Sequence, residues 1–439
     1  MSDARSYFPR WKLKTHGQIM PDERLPTGQT VVLGFQHVVA MFGSTVLAPI
    51  IMGFDPNVSI LFSGISTLIF FIAVGGRVPS YLGSSFAFIG PVLVATGAAA
   101  GATSPNIGLA LGGIIAAGAL YALVGCIVMF AGHRWIERLM PPVLTGAIVA
   151  AIGLVLAPVA IASASGTGPN NPDGSQLSRW IALLTVISVG AVAVYAPGMV
   201  RRLPILIGGA IAYLVYLLLA NGMGMGAAVD FSSVSAAAWF GLPKFTAPVF
   251  SASSVALIAP VVVILVAENL GHIKAIGAMT GRSLDPYLGR AFIGDGLATM
   301  ISGAFGGTGM TTYAENMGVM AITRIFSTLV FVVAAAVAIL LGFSPKFGAL
   351  IQTIPGPVIG GLSIVVFGLI AATAGRIWVE NKVDFSDPRN LITVGIALVL
   401  GAGNFKLEVG GFTLDGIGTA TIGAIVFYHL LGLGKRSAG

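Results

Sequence analysis

Apolar residues fill long runs of this chain, and polar ones gather in short breaks between them. Reading the runs between Gly, Pro and charged positions gives candidate spans near 29–52, 57–75, 84–99, 106–131, 142–163, 179–197 and 203–221. After a polar stretch holding Asp230 and Lys244, the pattern resumes near 253–273, 289–305, 311–322, 325–343, 350–375, 390–403 and 416–434. A helix crosses a bilayer with about 20 mostly apolar residues. The pattern therefore predicts an all-α polytopic membrane protein of fourteen segments.

The third segment of each half is too broken to be a plain spanning helix. In the first, Ser84, Ser85, Phe86 and Ala87 lead to Gly90 and Pro91; in the second, Thr311, Thr312, Tyr313 and Ala314 lead to Glu315, Asn316 and Gly318. Paired hydroxyls, an aromatic and an alanine recur. A second echo sets Pro142, Val143, Leu144, Thr145, Gly146 against Pro357, Val358, Ile359, Gly360, Gly361. An odd number of spans per half turns the second half over, so the chain reads as a 7+7 inverted repeat. Segments 3 and 10 are then each a short strand plus a half helix, and interrupted helices of this kind mark the substrate site near the midplane.

Composition narrows the class further. Only 9% of the 439 residues are charged, against roughly a quarter in soluble domains, which excludes an ordinary water-soluble enzyme. The 60 glycines suit close helix packing, and the single cysteine, Cys126, excludes a disulfide within the chain. A net charge of +7 does not point to nucleic acid, because the basic residues lie in short clusters between apolar runs. With the N-terminus inside, 19 of the 23 lysines and arginines fall on the cytoplasmic side, leaving Arg179, Lys244, Lys346 and Lys406 opposite. That asymmetry follows the positive-inside rule with both termini cytoplasmic. Met1 to Thr27 has no apolar core of signal-peptide type and is expected as a cytoplasmic tail.

Charge inside the membrane is the sharpest chemical signal, since an ionisable residue at mid-bilayer costs about 2.5 to 3.5 kcal/mol on the insertion scale. Glu268 ends the apolar run from Val261 to Ala267, and His272 follows one turn later on the same helix face. Glu315 sits in the second broken segment, where a restarting helix offers unpaired N–H groups and the positive end of a dipole. Both glutamates are candidate ligand groups. Glu268 and His272 are candidates for proton handling, and Asp295 for structure or coupling. His37 on an apolar face reads as a packed, hydrogen-bonded histidine. No Walker loop, zinc-protease pair or catalytic context for Cys126 is present, so neither an enzyme nor a resident metal or organic cofactor is expected.

The run Glu315, Asn316, Met317, Gly318, followed by Thr323 and Arg324, resembles the signature of the nucleobase/ascorbate transporter family, also called nucleobase cation symporter-2. Its pattern is an acidic or amide residue, Asn, any, Gly, four of any, Thr, then a basic residue or Gly. Further similarity lies in Gln36 and His37, Met41 to Gly43, Tyr81 to Ile89, and Ala267 to His272, and within the family it points to bacterial pyrimidine and uracil permeases. The resemblance implies core-domain parts at 28–131 and 253–345 (spans 1–4 and 8–11) and gate-domain parts at 132–252 and 346–434 (spans 5–7 and 12–14), between tails 1–27 and 435–439. It also implies a homodimer in the bacterial inner membrane that imports a nucleobase with a proton as coupling ion. Carried over by position, Glu268 and Glu315 match the ligand carboxylates and His272 the histidine beside the first. Phe86 and Ala314 match the backbone contacts, with Ser85 and Tyr313 as their neighbours. Alanine at 314 and aspartate at 295 replace the Gly and Asn usual in uracil permeases, which keeps xanthine and uric acid open as alternative cargo. An anion transporter of similar architecture is a weaker alternative, since small anions want unpaired positive charge.

Overall fold

The computed structural model describes residues 6–97, 104, 106–167, 175–198, 200–409, 412–414 and 416–433. The ends of the third and last expected segments and the tail 435–439 lie outside the described residues. In chain order come α1 (Thr27–Met52), α2 (Pro56–Ala73), α3 (Ile89–Thr96), α4 (Ile107–Ala131), the short α5 (Arg134–Leu139), α6 (Pro142–Val155), α7 (Ala157–Ala164), α8 (Gln176–Tyr195) and α9 (Pro204–Leu217). The second half holds a short α10 (Ser232–Ala236), then α11 (Ala252–Ile258), α12 (Val261–Thr280), α13 (Leu288–Ala304), α14 (Ala314–Thr323), α15 (Thr328–Gly342), α16 (Pro345–Gln352), α17 (Gly356–Glu380), α18 (Pro388–Ala402) and α19 (Gly416–Leu433). Among the described residues three small strand pairs accompany them: β1 (Lys12–Leu13) with β2 (Glu23–Arg24), β3 (Leu82–Ser84) with β4 (Met310–Thr312), and β5 (Leu407–Val409) with β6 (Phe412–Leu414).

Among the described residues nine helices, counting α6–α7 and α11–α12 once each, are long and apolar enough to cross a membrane. A tenth is reached if α15 and α16, bent by 81°, are one span. The protein is a helical, multi-pass membrane protein. Its outward faces carry the apolar residues that a soluble fold would bury: along α4, Leu120, Leu123, Ile127 and Phe130 are all exposed, on one stripe at helical spacing. The exposed Cys126 lies beside that stripe.

Local sequence sets the boundaries. Asp55 caps α2, its carboxylate accepting from Asn57 N–H at 2.8 Å, with Pro56 at the first helical position. The run expected at 350–375 is displaced. Ser344 caps α16 and Pro345 opens it, so Leu350 and Ile351 belong to α16, and the next helix starts only after Pro355.

Close packing follows the glycines. A Cβ at Gly118 would lie 2.7 Å from the carbonyl oxygen of Gly296, and one at Gly125 would lie 2.7 Å from that of Gly289. Each pair is spaced seven residues apart, so α4 and α13 meet along a seam that only small residues permit. The helices sort into two packed sets: α1, α2, α4, α11, α12, α13 and α15 in one, and α6, α7, α8, α9, α17, α18 and α19 in the other. Between α1, α9 and α16–α17 lies an apolar cavity of about 440 Å³ lined by Phe42, Val46, Ile205, Tyr213 and Phe347, with neither Glu268 nor Glu315 in its lining.

Candidate functional site

Backbone polar groups in a membrane must find partners inside the protein, and the β3–β4 pair shows how this chain supplies them. The strands are antiparallel, with Leu82 opposite Thr312, Gly83 opposite Thr311 and Ser84 opposite Met310. The ladder continues on both sides, from Tyr313 N–H to Tyr81 C=O and from Ser85 N–H to Gly309 C=O, each at 2.9 Å. On each outer edge a threonine of a flanking helix takes one strand N–H. Thr67 of α2 accepts from Leu82 N–H at 3.0 Å, and Thr299 of α13 accepts from Met310 N–H at 3.1 Å. Glycine is needed at 83 and 309, because a Cβ there would strike the rings of Tyr313 and Phe88 respectively.

From β3 the chain passes through a 3₁₀ turn, Phe86–Phe88, into α3; from β4 it passes directly into α14. Because the strands run antiparallel, both half helices begin at the ribbon and leave it in opposite directions. Their N-terminal N–H groups lack intrahelical acceptors and carry positive partial charge. Ser85 accepts from Ala87 N–H at 3.3 Å, while Glu315 lies in the first turn of α14.

Alongside runs α12. Glu268 accepts from Thr311 at 3.4 Å, and His272 Nδ1 lies 2.8 Å from the Thr312 hydroxyl, so the two side chains address consecutive residues of β4. Glu268 and Glu315 are close enough to interact electrostatically. Phe86, Glu268, His272 and Glu315 are half-buried and Ala314 is exposed, while Gly271 and Gly318 face open space. Phe86 meets Phe367 of α17 in a T-shaped contact, with centroids 6.1 Å apart. Among the described residues no lysine or arginine forms an ion pair with either glutamate; the ion pairs lie elsewhere, such as Lys274 with Asp285 at 2.9 Å.

The other expected residues take supporting positions. Ser85 and Tyr313 are buried, and their hydroxyls serve the scaffold, Tyr313 donating to Ser84 C=O at 2.9 Å. Asp295 is fully buried behind the site, accepting from Asn269 and, at 3.3 Å, from Tyr121. Asn269 also accepts from Thr312 at 3.4 Å. The contacts from Asp295 through Asn269 and Thr312 therefore end at His272. His37 is buried and bonded to Asn316 at 3.0 Å, as expected for a packed histidine. Sequence reasoning overlooked Ser44 of α1, which donates to Glu315 Oε1. Its signal was its spacing of seven from His37, which puts both on one face of α1.

The chain matches the permease family Xan_ur_permease, described as "Permease family", over residues 28–410. It belongs to this family. The permease is 61% identical over 428 residues to "Putative pyrimidine permease RutG" of Escherichia coli K12, covering 97% of this chain and 95% of that one. It is 42% identical over 422 residues to "Uracil permease" of Paenibacillus larvae, covering 94% and 96%. Among solved structures it is similar in fold to the transmembrane domain of the cyanobacterial bicarbonate transporter BicA, with TM-score 0.63, 16% identity and coverage of 95% and 99%. A permease moves its substrate without converting it, so this protein is a transporter and not an enzyme.

Proposed function

We propose that this permease is a proton-coupled nucleobase uptake symporter of the bacterial inner membrane, carrying uracil and related pyrimidines. The observation that supports it most is the meeting of two half-helix N-termini with two carboxylates that no lysine or arginine among the described residues neutralises. Uracil is flat, with two ring N–H donors and two carbonyl acceptors. Carboxylates accept from the donors, and helix-end N–H groups donate to the carbonyls. Two carboxylates without an ion pair among the described residues argue against a small-anion cargo, and the relatives named above for pyrimidine and uracil favour this cargo over xanthine or uric acid.

In this mechanism Glu268 takes a proton from the outside with help from His272, and the neutral carboxyl favours base binding. Glu315 completes the clamp, and the two helix sets rock about the bound base. The fourteen-span 7+7 repeat draws support from packing. If α2 and α4 are spans 2 and 4, and α13 and α15 spans 9 and 11, the extensive α4–α13 and α2–α15 interfaces exchange under the repeat. So do α8–α9 and α18–α19. Core and gate correspond to the two packed sets, both termini face the cytoplasm, and the working unit is a homodimer.

Uptake of labelled uracil into cells, with competition by a base panel, tests the reading. Uracil should accumulate faster at acidic external pH, collapse with a protonophore and compete far better than xanthine. Uptake of xanthine but not uracil would overturn it.

A further inference from the structure

Four polar contacts tie α1 to the start of α14, one of them the Asn316–His37 ring contact described above. Thr45 donates to the Tyr313 hydroxyl at 3.2 Å, and Asn316 Nδ2 donates to His37 C=O at 3.0 Å. Between them Ser44 donates to Oε1 of Glu315. Residues 37, 44 and 45 share one face of α1, two turns apart. His37, Ser44, Thr45, Tyr313 and Asn316 are all buried, and of these six residues Glu315 alone is half-buried. A terminal carboxylate torsion is broad and roughly two-fold, so an unrestrained Glu315 could turn either oxygen, or both, to a ligand.

We propose that Ser44 is a positioning residue that sets base selectivity by engaging one oxygen of Glu315, so that the other alone accepts from the ligand. This rests on the nucleobase reading. A single acceptor matches an imide, where one N–H lies between two carbonyls. It mismatches a base edge with two adjacent donors, a ring N–H beside an exocyclic amine, which binds a carboxylate best through both oxygens. Ser44 thereby turns a general carboxylate into a reader of imides.

Isocytosine is the diagnostic probe, because it keeps the ring size of uracil and presents that paired-donor edge. Binding of both bases is measured on purified wild-type protein and on Ser44→Ala, Ser44→Thr and Ser44→Cys. In Ser44→Ala uracil affinity should fall about tenfold while isocytosine affinity holds or rises, and Ser44→Thr should restore the wild-type ratio. A merely structural serine would weaken both ligands equally, and an unchanged uracil-to-isocytosine ratio in Ser44→Ala overturns the proposal. If Ser44→Ala does not fold, Ser44→Cys, a much weaker donor of similar shape, must narrow the ratio instead. Wild-type protein that fails to bind uracil sinks the nucleobase reading, whatever the variants do.

Discussion

At the scale of single residues, the two glutamates differ in what surrounds them, and that separates their expected mutants. Glu268 meets Thr311 only through a long 3.4 Å contact, has His272 one turn away, and is the group assigned the proton. Glu268→Gln keeps size and hydrogen bonding but cannot cycle a proton. It should abolish uphill accumulation of base while the protein still folds and binds; full proton-driven accumulation by this mutant would remove Glu268 as carrier. Glu315 is held by Ser44 and is only half-buried. Its change to Ala should leave stability near wild type but cost a charge-assisted hydrogen bond, about 1.5 to 3 kcal/mol, or roughly ten- to a hundredfold in base affinity by calorimetry. Gly83 tests the scaffold instead. Gly83→Ala drives a methyl into the Tyr313 ring, so a loss of about 1–3 kcal/mol in stability is expected, read as a lower melting temperature and weaker binding together.

At the scale of elements, the half helix carrying Glu315 is gripped at both ends. Its start is bonded to α1, and its end is pinned by the N-terminal segment: Ile19 N–H donates to Arg324 C=O at 3.0 Å, and Phe326 N–H returns to Ile19 C=O at 2.7 Å. Arg324 is held in the left-handed region at φ 55°, and Trp11 and Pro21 both bond Thr328 just beyond. Ile19→Pro removes one of these donors. Hydrogen exchange at residues 322–326 should quicken several-fold while that of 264–270 does not; equal protection in the mutant would mean the strap does not hold α14. This strap was not legible in the sequence, where Met1 to Thr27 reads only as a polar tail, because its order comes from contacts with residues about 300 positions away. The β3–β4 pairing was hidden for the same reason, since three-residue strands carry no period of their own. What could be read was local: hydroxyls, an aromatic and an alanine repeated at 84–87 and 311–314, and glutamates too costly to leave in an apolar run without a task. Ser44 left only a faint mark, its spacing of seven from His37, because a small hydroxyl in an apolar helix looks like packing until its partner is known.

At the scale of the whole molecule, the proposed rocking mechanism requires that the two helix sets shift against one another. Their junction is suited to that. Within a set, helices meet along seams such as Gly118 and Gly125 against α13, where backbones touch and sliding would cost much contact. Between the sets, beside α1 and α9, lies the apolar cavity of about 440 Å³, where few atoms must be unpacked. Gly43 of α1 faces Ile205 of α9 across this junction, and a Cβ at 43 would lie 3.2 Å from the Ile205 Cβ, close to the separation of about 3.5–4.5 Å that a disulfide spans. The double change Gly43→Cys and Ile205→Cys, made with Cys126→Ser to remove the one native thiol, should therefore lock the sets on oxidation. Transport in proteoliposomes should stop and return on reduction, whereas base binding to the oxidised protein should persist, because a Cβ at 43 is directed at Ile205 and neither position is among the groups proposed to hold the base. Full transport by protein shown to be cross-linked would mean that the base crosses without movement of α1 against α9, and the rocking mechanism would fall.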